Sequence, residues 1–465
     1  MGSPLPPLPR TPAWASERRM VEQHAGGHPL PMSKLPASFR PYALPLWWVP
    51  TSYLAMGLIY VLVSGVANIM FKNLGMDNAK AAFWSSLFIL PYTIKPFWAP
   101  LVELGKTKKV FVLAMQFILV GLIVATALAV RIATPETMTP IFVLLGLAGI
   151  LGATQDIATD GVYVTTLGRA DQAKYIGLQS MCWNAGPILA NGILIRASGM
   201  WQTSTGSWNT SWMYVLYVIA ALMGTLAVYH AYLLPPGAST IDTPQGWKDS
   251  LHTFFEAFHS FFRKKDIVLM ILFAFFFRFG YGFLEKMGPL FMIDSRENGG
   301  LGLTNQALGD INGTFGTGAF MIGSILGGIF VARRGLKQSL FLLCLCLNVP
   351  NVIFLFFSLA CPSSYPLIAT CVSIEKFFWG MGVVGLSIYM MQQIAPGKYR
   401  TAHYTFASAL MGLNMMLTGM VSGKLQEWLG YRNFFIGVLL AAIPSVLVTL
   451  AAPFHHNESN SQENT

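Results

Sequence analysis

Two aspartates lie four residues apart within a long apolar stretch of the chain. Asp156 and Asp160 occur in residues 152–161, whose sequence is GATQDIATDG. Residues four apart share one face of an α-helix, and two carboxyl groups this close in a low dielectric lose their protons in coupled steps. A carrier driven by protons needs such carboxyl groups. We therefore expect Asp156 and Asp160 to couple protons; the alternative is that Asp156 pairs structurally and Asp160 is solvated near a helix end.

Two of the four basic residues inside apolar runs are candidates for binding solute. Lys95 is bracketed by two prolines, which distort a helix and free its carbonyl groups. It needs an anionic partner, and Asp156 and Asp160 are the candidates; the pair is either structural or also binds solute. Arg278 lies about 18 Å into its apolar run, near the membrane midplane. Its guanidinium suits a carboxylate or phosphate of a solute.

The C-terminal half contributes an acid within another apolar run. Glu375 lies about 15 Å from the start of its run. It is expected to pair either with Arg278 or with Lys376 through solvent, and it is the third candidate for proton coupling. Glu285 and Lys286 come near the end of their run, and we expect both to be interfacial.

Neutral polar residues complete the candidate site. Gln155, Gln179 and Asn184 are expected to contact solute, whereas most other polar residues of the apolar runs are expected to form interhelical hydrogen bonds. No Walker loop, HExxH, GxSxG or set of paired metal ligands occurs in the sequence, and none of the five cysteines forms a CxxC pair. We therefore expect no metal and no cofactor.

The elements that position these residues are membrane-spanning helices. Of the 465 residues 54% are hydrophobic and 11% are charged, and the mean hydropathy is +0.53. Such a composition excludes a soluble enzyme, a disordered regulator and a nucleic-acid-binding protein, because there is too little polar surface to coat a globule. Twelve apolar runs are long enough to cross a bilayer: 44–70, 80–102, 109–131, 140–166, 174–197, 211–234, 266–293, 305–331, 337–360, 365–393, 402–425 and 432–453.

Basic residues and spacing predict the topology. With a cytoplasmic N-terminus, 19 Lys and Arg lie on the inner side and 7 on the outer side, which favours both termini inside. The runs form two sets of six, the pattern of a two-bundle transporter. The predicted domains are a disordered basic tail (1–42), a six-helix bundle (43–234), a linker (235–265), a second six-helix bundle (266–454) and a tail (455–465).

The linker contains an amphipathic pattern. Apolar residues recur at helical spacing, with charged residues between them; the apolar residues are Trp247, Leu251, Phe254, Phe255, Phe258, Phe261 and Phe262. This pattern predicts a helix lying on the inner leaflet. It serves either as a lever between the bundles or as a simple tether, and we favour the tether.

Four segments resemble one known family. Residues 152–161 are similar to the helix-four signature of AmpG-type muropeptide permeases, a branch of the major facilitator superfamily related to acetyl-CoA transporters. Residues 310–334 (DINGTFGTGAFMIGSILGGIFVARR) resemble the family's helix eight. Residues 375–382 (EKFFWGMG) resemble its helix ten, although Lys376 replaces an Asn. Residues 400–406 (RTAHYTF) resemble the start of its helix eleven. The likeness extends over most of residues 45–450.

The resemblance implies an all-α fold of twelve membrane helices, alternating access and proton-driven import of a cell-wall fragment across a bacterial inner membrane. It places Asp156, Asp160 and Glu375 at the family's acidic positions. Arg278 stands where the family often has a basic residue.

The predicted function is therefore a secondary transporter of a polar, anionic and muropeptide-like solute, acting as a monomer with protons, membrane lipid and solute as partners. The alternatives are an integral-membrane transferase acting on a lipid or acyl substrate, and a channel or scaffold. Scattered histidines and short outer loops disfavour the transferase, and the six-plus-six repeat disfavours a channel.

Overall fold

A computed structural model describes residues 44–99, 102, 107–237 and 247–455 of the chain. Regular secondary structure in these residues is helical. The predicted tail at 1–42, most of the tail at 455–465 and part of the linker lie outside the described residues. The boundaries predicted for the two domains stay predictions.

The first six membrane helices precede the linker. They are α1 (Pro45–Asn73), α2 (Asn78–Leu87, continued by Leu90–Ile94), α3 (Lys108–Arg131), α4 (Thr139–Thr166), α5 (Arg169–Pro187, Ile188–Leu194 and Ile195–Thr205) and α6 (Trp208–Leu233). The prolines of α2 have the predicted effect, because that helix ends in a 3₁₀ turn, Lys95–Phe97.

The linker helix, Trp247–Phe262, leads into the second six. These are α7 (Ile267–Phe276 and Phe279–Ile293), α8 (Asn305–Arg334), α9 (Leu336–Ala360), α10 (Tyr365–Ile394), α11 (residues 400–429) and α12 (residues 431–450). Gly430 separates α11 from α12, since its φ of 71° is a conformation that glycine adopts readily.

Length and composition alone identify nine of the described helices as able to cross a membrane. One of them, Ala402–Leu450, has 49 residues and is about twice as long as a bilayer requires, so that it contains α11 and α12. The interrupted α2 and the polar α5 complete the twelve crossings. The expected all-α architecture of two six-helix bundles is confirmed.

The helices alternate in direction, which gives the molecule two ends. We call the end that carries residues 73–78, 294–304 and 429–431 the far end, and the end that carries the linker helix the linker end. Within the bundles α1 packs on α5, α3 on α4 and α6, α7 on α11, and α10 on α8 and α9. The bundles meet where α2 contacts α11 and α5 contacts α8.

Both helices of the α5–α8 contact contain a π-helical turn there. The turns are Ile188–Leu194 and Gly309–Phe315, and they pack against each other. A Cβ atom at Gly309 would lie 2.6 Å from the carbonyl oxygen of Gly192. Glycine therefore lets the two backbones approach closely at the boundary between the bundles.

Two glycines of α8 allow an equally close approach to α10. A Cβ atom at Gly323 would overlap the backbone of α10, and one at Gly327 would lie 2.8 Å from the carbonyl oxygen of Met381. In contrast, a Cβ atom at Gly318 or Gly328 would have no described atom of another segment within 4 Å. Close packing therefore depends on one face of the helix.

Gly323→Ala is expected to destabilise the protein, because the added methyl group forces α8 away from α10. Overpacking of this kind costs about 1–3 kcal/mol, and the unfolding temperature in detergent should fall accordingly. Gly328→Ala in the same helix is the matched control and should leave the unfolding temperature unchanged or slightly higher. Equal unfolding temperatures for the two variants would contradict this account of the contact.

Candidate functional site

An ion pair joins α2 to α4 in the first bundle. The Nζ atom of Lys95 donates to Oδ2 of Asp156. Lys95 occupies the 3₁₀ turn that ends α2, and Asp156 is buried on α4. Of the two partners that the sequence allowed for this lysine, Asp156 is the one that binds it directly.

Asp160 lies one helical turn further along α4. It accepts a hydrogen bond of 2.8 Å from the hydroxyl group of Tyr53 on α1. The ring of Tyr53 packs edge-on against Tyr163, with 5.8 Å between centroids. Asp160 is also within electrostatic range of Lys95. The four-residue spacing thus places both carboxyl groups beside one lysine, and Asp160 has a protein partner in addition to any solvent.

Aromatic rings line the same region of the first bundle. Tyr60 of α1 packs edge-on against Tyr92 of α2 at 5.1 Å and contacts Trp183 of α5 at 5.5 Å between centroids. Tyr60 is also within electrostatic range of Asp156 and of Arg278 on α7. It therefore lies between the acidic residues of the first bundle and the cation of the second.

Arg278 interrupts α7, where it separates the segments Ile267–Phe276 and Phe279–Ile293. Its side chain is buried, and its Nε atom has no hydrogen-bond partner among the described residues. Within that part of the chain no carboxylate comes within 4 Å of it, so the pair with Glu375 that the sequence suggested does not form. Among the described residues, this cation therefore has no fixed counter-ion.

Glu375 instead pairs with its neighbour in sequence. Its Oε2 atom lies 3.3 Å from Nζ of Lys376, a direct contact rather than one through solvent. Lys376 also donates a hydrogen bond of 3.2 Å to the hydroxyl group of Tyr281 and lies 5.2 Å from the ring centroid of Trp379. Tyr281 and Trp379 stack at 4.7 Å. Each bundle thus contains a lysine–carboxylate pair beside aromatic rings.

The neutral residues predicted for the site are only partly engaged. Gln155 is buried, and both its amide atoms have no partner among the described residues; the same is true of the Oε1 atom of Gln179. Asn184 donates to the carbonyl oxygen of Ser180 in its own helix. No hydrogen bond joins these three side chains to Lys95 within the described chain. Their contact with solute stays a prediction.

Several buried polar atoms of the charged, polar and aromatic residues of this site have no hydrogen-bond partner among the described residues. They include atoms of Tyr92, Gln155, Arg278, Glu375 and Trp379. An unpaired polar atom in a low-dielectric interior costs free energy. These atoms can recover that cost by binding water or a polar solute, which is the chemistry expected of a binding cavity.

Sequence reasoning missed the aromatic members of the site. Tyr53, Tyr60, Tyr281 and Trp379 contact or adjoin the charged residues, yet none was a candidate. A signal was present for two of them: Tyr281 follows Arg278 by three positions, and Trp379 follows Lys376 by three. Residues three apart on a helix are neighbours, so this spacing predicts a contact between the aromatic ring and the cation within the membrane.

Polar contacts hold the bundles together at the far end. Asp294, which follows α7, accepts a hydrogen bond of 2.8 Å from Tyr431 and one of 3.2 Å from Asn78, and it lies 3.1 Å from Nζ of Lys72. Burial opposes ionisation of this carboxyl group, but the hydrogen bonds and the lysine outweigh burial and lower the pKa of Asp294. It is therefore charged at neutral pH.

Lys286 makes a second contact between the bundles, and the expectation that it is interfacial was wrong. It is buried, and its Nζ atom donates to the carbonyl oxygens of Ser64 at 2.7 Å and Ser85 at 3.3 Å. Asn68 donates in return to the carbonyl oxygen of Lys286 at 3.0 Å. The carbonyl groups come from α1 and α2, so this cation from the second bundle is bound by the first.

Two six-helix bundles with charged residues between them are an architecture found in membrane transporters. The family model of the Major Facilitator Superfamily matches residues 51–413. The chain belongs to this superfamily of membrane transporters and is an integral membrane protein.

Comparison with individual proteins agrees with this result. The chain is 22% identical over 402 residues to the anhydromuropeptide permease of Escherichia coli K12, which covers 85% of this chain and 77% of the relative. The predicted resemblance to muropeptide permeases is thereby confirmed. Among solved structures, the nucleoside transporter NupG (17% identity, TM-score 0.64, 87% of this chain and 97% of that chain) and a D-xylose-proton symporter (14%, 0.64, 88% and 97%) share the fold.

Lys95 and Asp156 are expected to be thermodynamically coupled. Lys95→Met leaves a buried carboxylate unpaired and should lower the free energy of unfolding by about 2 kcal/mol or more. Asp156→Asn leaves the lysine unpaired and should lower it by a similar amount. The double variant should lose less free energy of unfolding than the two single variants together. Unfolding in detergent measures all four proteins.

The exposed pair of Lys80 and Asp77, 3.0 Å apart, provides the matched control. Its cycle of Lys80→Met and Asp77→Asn should show a coupling of less than about 1 kcal/mol. If the two cycles give equal coupling, Lys95 and Asp156 do not form a buried pair.

Lys286→Met should weaken closure of the far end, because it removes both hydrogen bonds to the first bundle. Spin labels at the exposed positions 136 and 363, in far-end loops of the two bundles, report the distance between them. We expect the variant to populate a longer distance than the parent, and Lys337→Met at the linker end to leave the distribution unchanged. A parent-like distribution for Lys286→Met would exclude a role in closure.

Proposed function

We propose that the protein is a proton-coupled importer of a polar, anionic and muropeptide-like solute that works by alternating access. The observation that carries the proposal is the pairing of Lys95 with Asp156 and the presence of Asp160 one turn away. Membership of the superfamily and similarity to an anhydromuropeptide permease support the solute class.

Competition for Lys95 provides a physical route to proton coupling. A solute carboxylate that reaches this lysine displaces Asp156 from it. A carboxylate left in the low-dielectric interior without its cation is costly, so Asp156 takes up a proton when solute binds. Release of the solute restores the ion pair and expels the proton. Asp160, which is held by Tyr53, is the nearest second acceptor.

Arg278 is the proposed second contact for the anion. Its planar guanidinium fits a carboxylate or a phosphate, and the described residues provide no carboxylate for it within 4 Å. Glu375 and Lys376 form the corresponding pair in the second bundle and are the proposed additional proton site. Gln155, whose buried amide has no partner, is suited to amide or hydroxyl groups of the solute.

The basic residues support an orientation for this cycle. The excess of Lys and Arg supports a cytoplasmic location for the linker end and both termini. The far end is then periplasmic, and the contacts of Asp294 and Lys286 hold the two bundles together there. We propose a bacterial inner membrane as the location and a monomer as the working unit.

Uptake into proteoliposomes tests the coupling. With labelled anhydromuropeptide and an imposed pH gradient, Asp156→Asn should accumulate roughly tenfold less solute than the parent. A tenfold change corresponds to a coupling free energy of about 1.4 kcal/mol, which is typical of coupled sites. Exchange of solute without a gradient should persist, because binding by Arg278 remains.

Glu136→Gln is the matched control, because Glu136 is an exposed acid in a far-end loop, and it should transport like the parent. If Asp156→Asn accumulates solute as the parent does and still responds to the gradient, Asp156 does not couple protons. If the parent transports no muropeptide, the assignment of the solute fails.

A further inference from the structure

An apolar cavity lies where the linker helix meets both bundles. Its volume is about 290 Å³, and its walls include Phe97 after α2, Phe258 and Phe262 of the linker helix, Ile271 of α7 and Phe406 of α11. Thr93 supplies the one hydroxyl group among the lining residues, and that group donates to Ile89 of its own helix. The cavity therefore offers a polar ligand no free partner and suits a hydrocarbon chain.

The linker helix is fixed over this cavity by contacts with both bundles. Phe254 packs against Phe97 of the first bundle at 5.8 Å and against Phe406 of the second at 5.9 Å between centroids. At the end of the linker, Lys264 donates to the carbonyl oxygens of Ile394 and Pro396, both at 2.5 Å. The cavity is consequently a place where three parts of the fold share one apolar space.

The rim of the cavity is apolar and exposed. Phe97 is 64% exposed, Phe262 50% and Phe258 37%. The walls belong to the linker-end segments of α2 and α11, which cross the membrane, so the rim meets the outer part of one leaflet. In a chain that crosses the membrane such exposed rings face lipid, and the partner present at this depth is an acyl chain.

Two cations follow the rim directly in sequence. Arg263 and Lys265 are exposed, and the described residues place no carboxylate within 4 Å of either. Lys264 between them differs, because it is bound to backbone carbonyls. The exposed pair stands where the headgroup of a lipid would lie if one of its chains entered beside Phe262.

We propose that an anionic phospholipid of the surrounding leaflet binds here, with one acyl chain in the cavity and its phosphate beside Arg263 and Lys265. Because the walls come from the linker helix and both bundles, the bound chain stabilises the arrangement in which the three are together. A ligand that prefers one conformation shifts the equilibrium towards it. The lipid therefore regulates conformation, whatever solute is carried.

Native mass spectrometry of the full chain, titrated with phosphatidylglycerol or phosphatidylcholine, tests the proposal. The parent should bind one phosphatidylglycerol more tightly than any phosphatidylcholine. Arg263→Gln with Lys265→Gln should weaken this binding roughly 25-fold, since each basic residue near anionic lipid contributes about fivefold. Ala409→Trp, which fills the cavity, should abolish it.

Arg333→Gln with Arg334→Gln is the matched control, because it removes two exposed cations elsewhere at the linker end, and it should bind lipid like the parent. If Ala409→Trp does not fold, as judged by gel filtration, Ala409→Leu replaces it. Equal binding of the two lipids, parent-like binding by either the charge variant or the cavity variant, or binding of a free fatty acid without phosphatidylglycerol would overturn the proposal.

Discussion

A charge in hydrocarbon must be neutralised or solvated by the protein, and the interior of this molecule is arranged around that constraint. Lys95, Lys286 and Lys376 are three lysines within membrane helices, and each is bound by other groups of the protein. The binding groups differ, and the difference decides what each lysine can do. The helices supply both the apolar barrier and the few polar atoms that make these charges tolerable.

Lys95 and Lys376 bind carboxylates within their own bundle, whereas Lys286 binds carbonyl groups of the opposite bundle. A carboxylate can be exchanged for that of a solute and can take up a proton when released. A backbone carbonyl can do neither, so the contact of Lys286 changes only when the bundles move apart. The carboxylate pairs can thus exchange partners, whereas the contact of Lys286, which lies towards the far end, is sensitive to the position of the bundles.

Hydropathy and residue spacing were sufficient to predict the helices, because burial of apolar residues in lipid depends on local sequence. The sequence also limited the partner of Lys95 to Asp156 or Asp160, because a lysine in the membrane needs an anionic partner and these two acids share one helix face. The sequence could not decide between Arg278 and Lys376 as the partner of Glu375, and it could not predict the burial of Lys286, since both depend on tertiary packing and the burial of Lys286 depends on contacts across the bundle boundary. The roles of Asp156, Asp160, Glu375, Lys95, Gln155, Arg278, Gln179 and Asn184 stay predictions, as does the domain division.

The π-helical turns of α5 and α8 have a consequence for the surfaces of these helices. Each residue advances an α-helix by 100°, so the wider turn delays the rotation of every residue that follows it. Residues of α5 that follow Leu194 therefore do not lie on the helix face that the three- and four-residue spacing before Ile188 would predict. Arg196, which pairs with Asp310 across the boundary, follows this turn. A helical wheel drawn at 100° per residue through the whole of α5 would therefore misplace this arginine relative to the residues before Ile188.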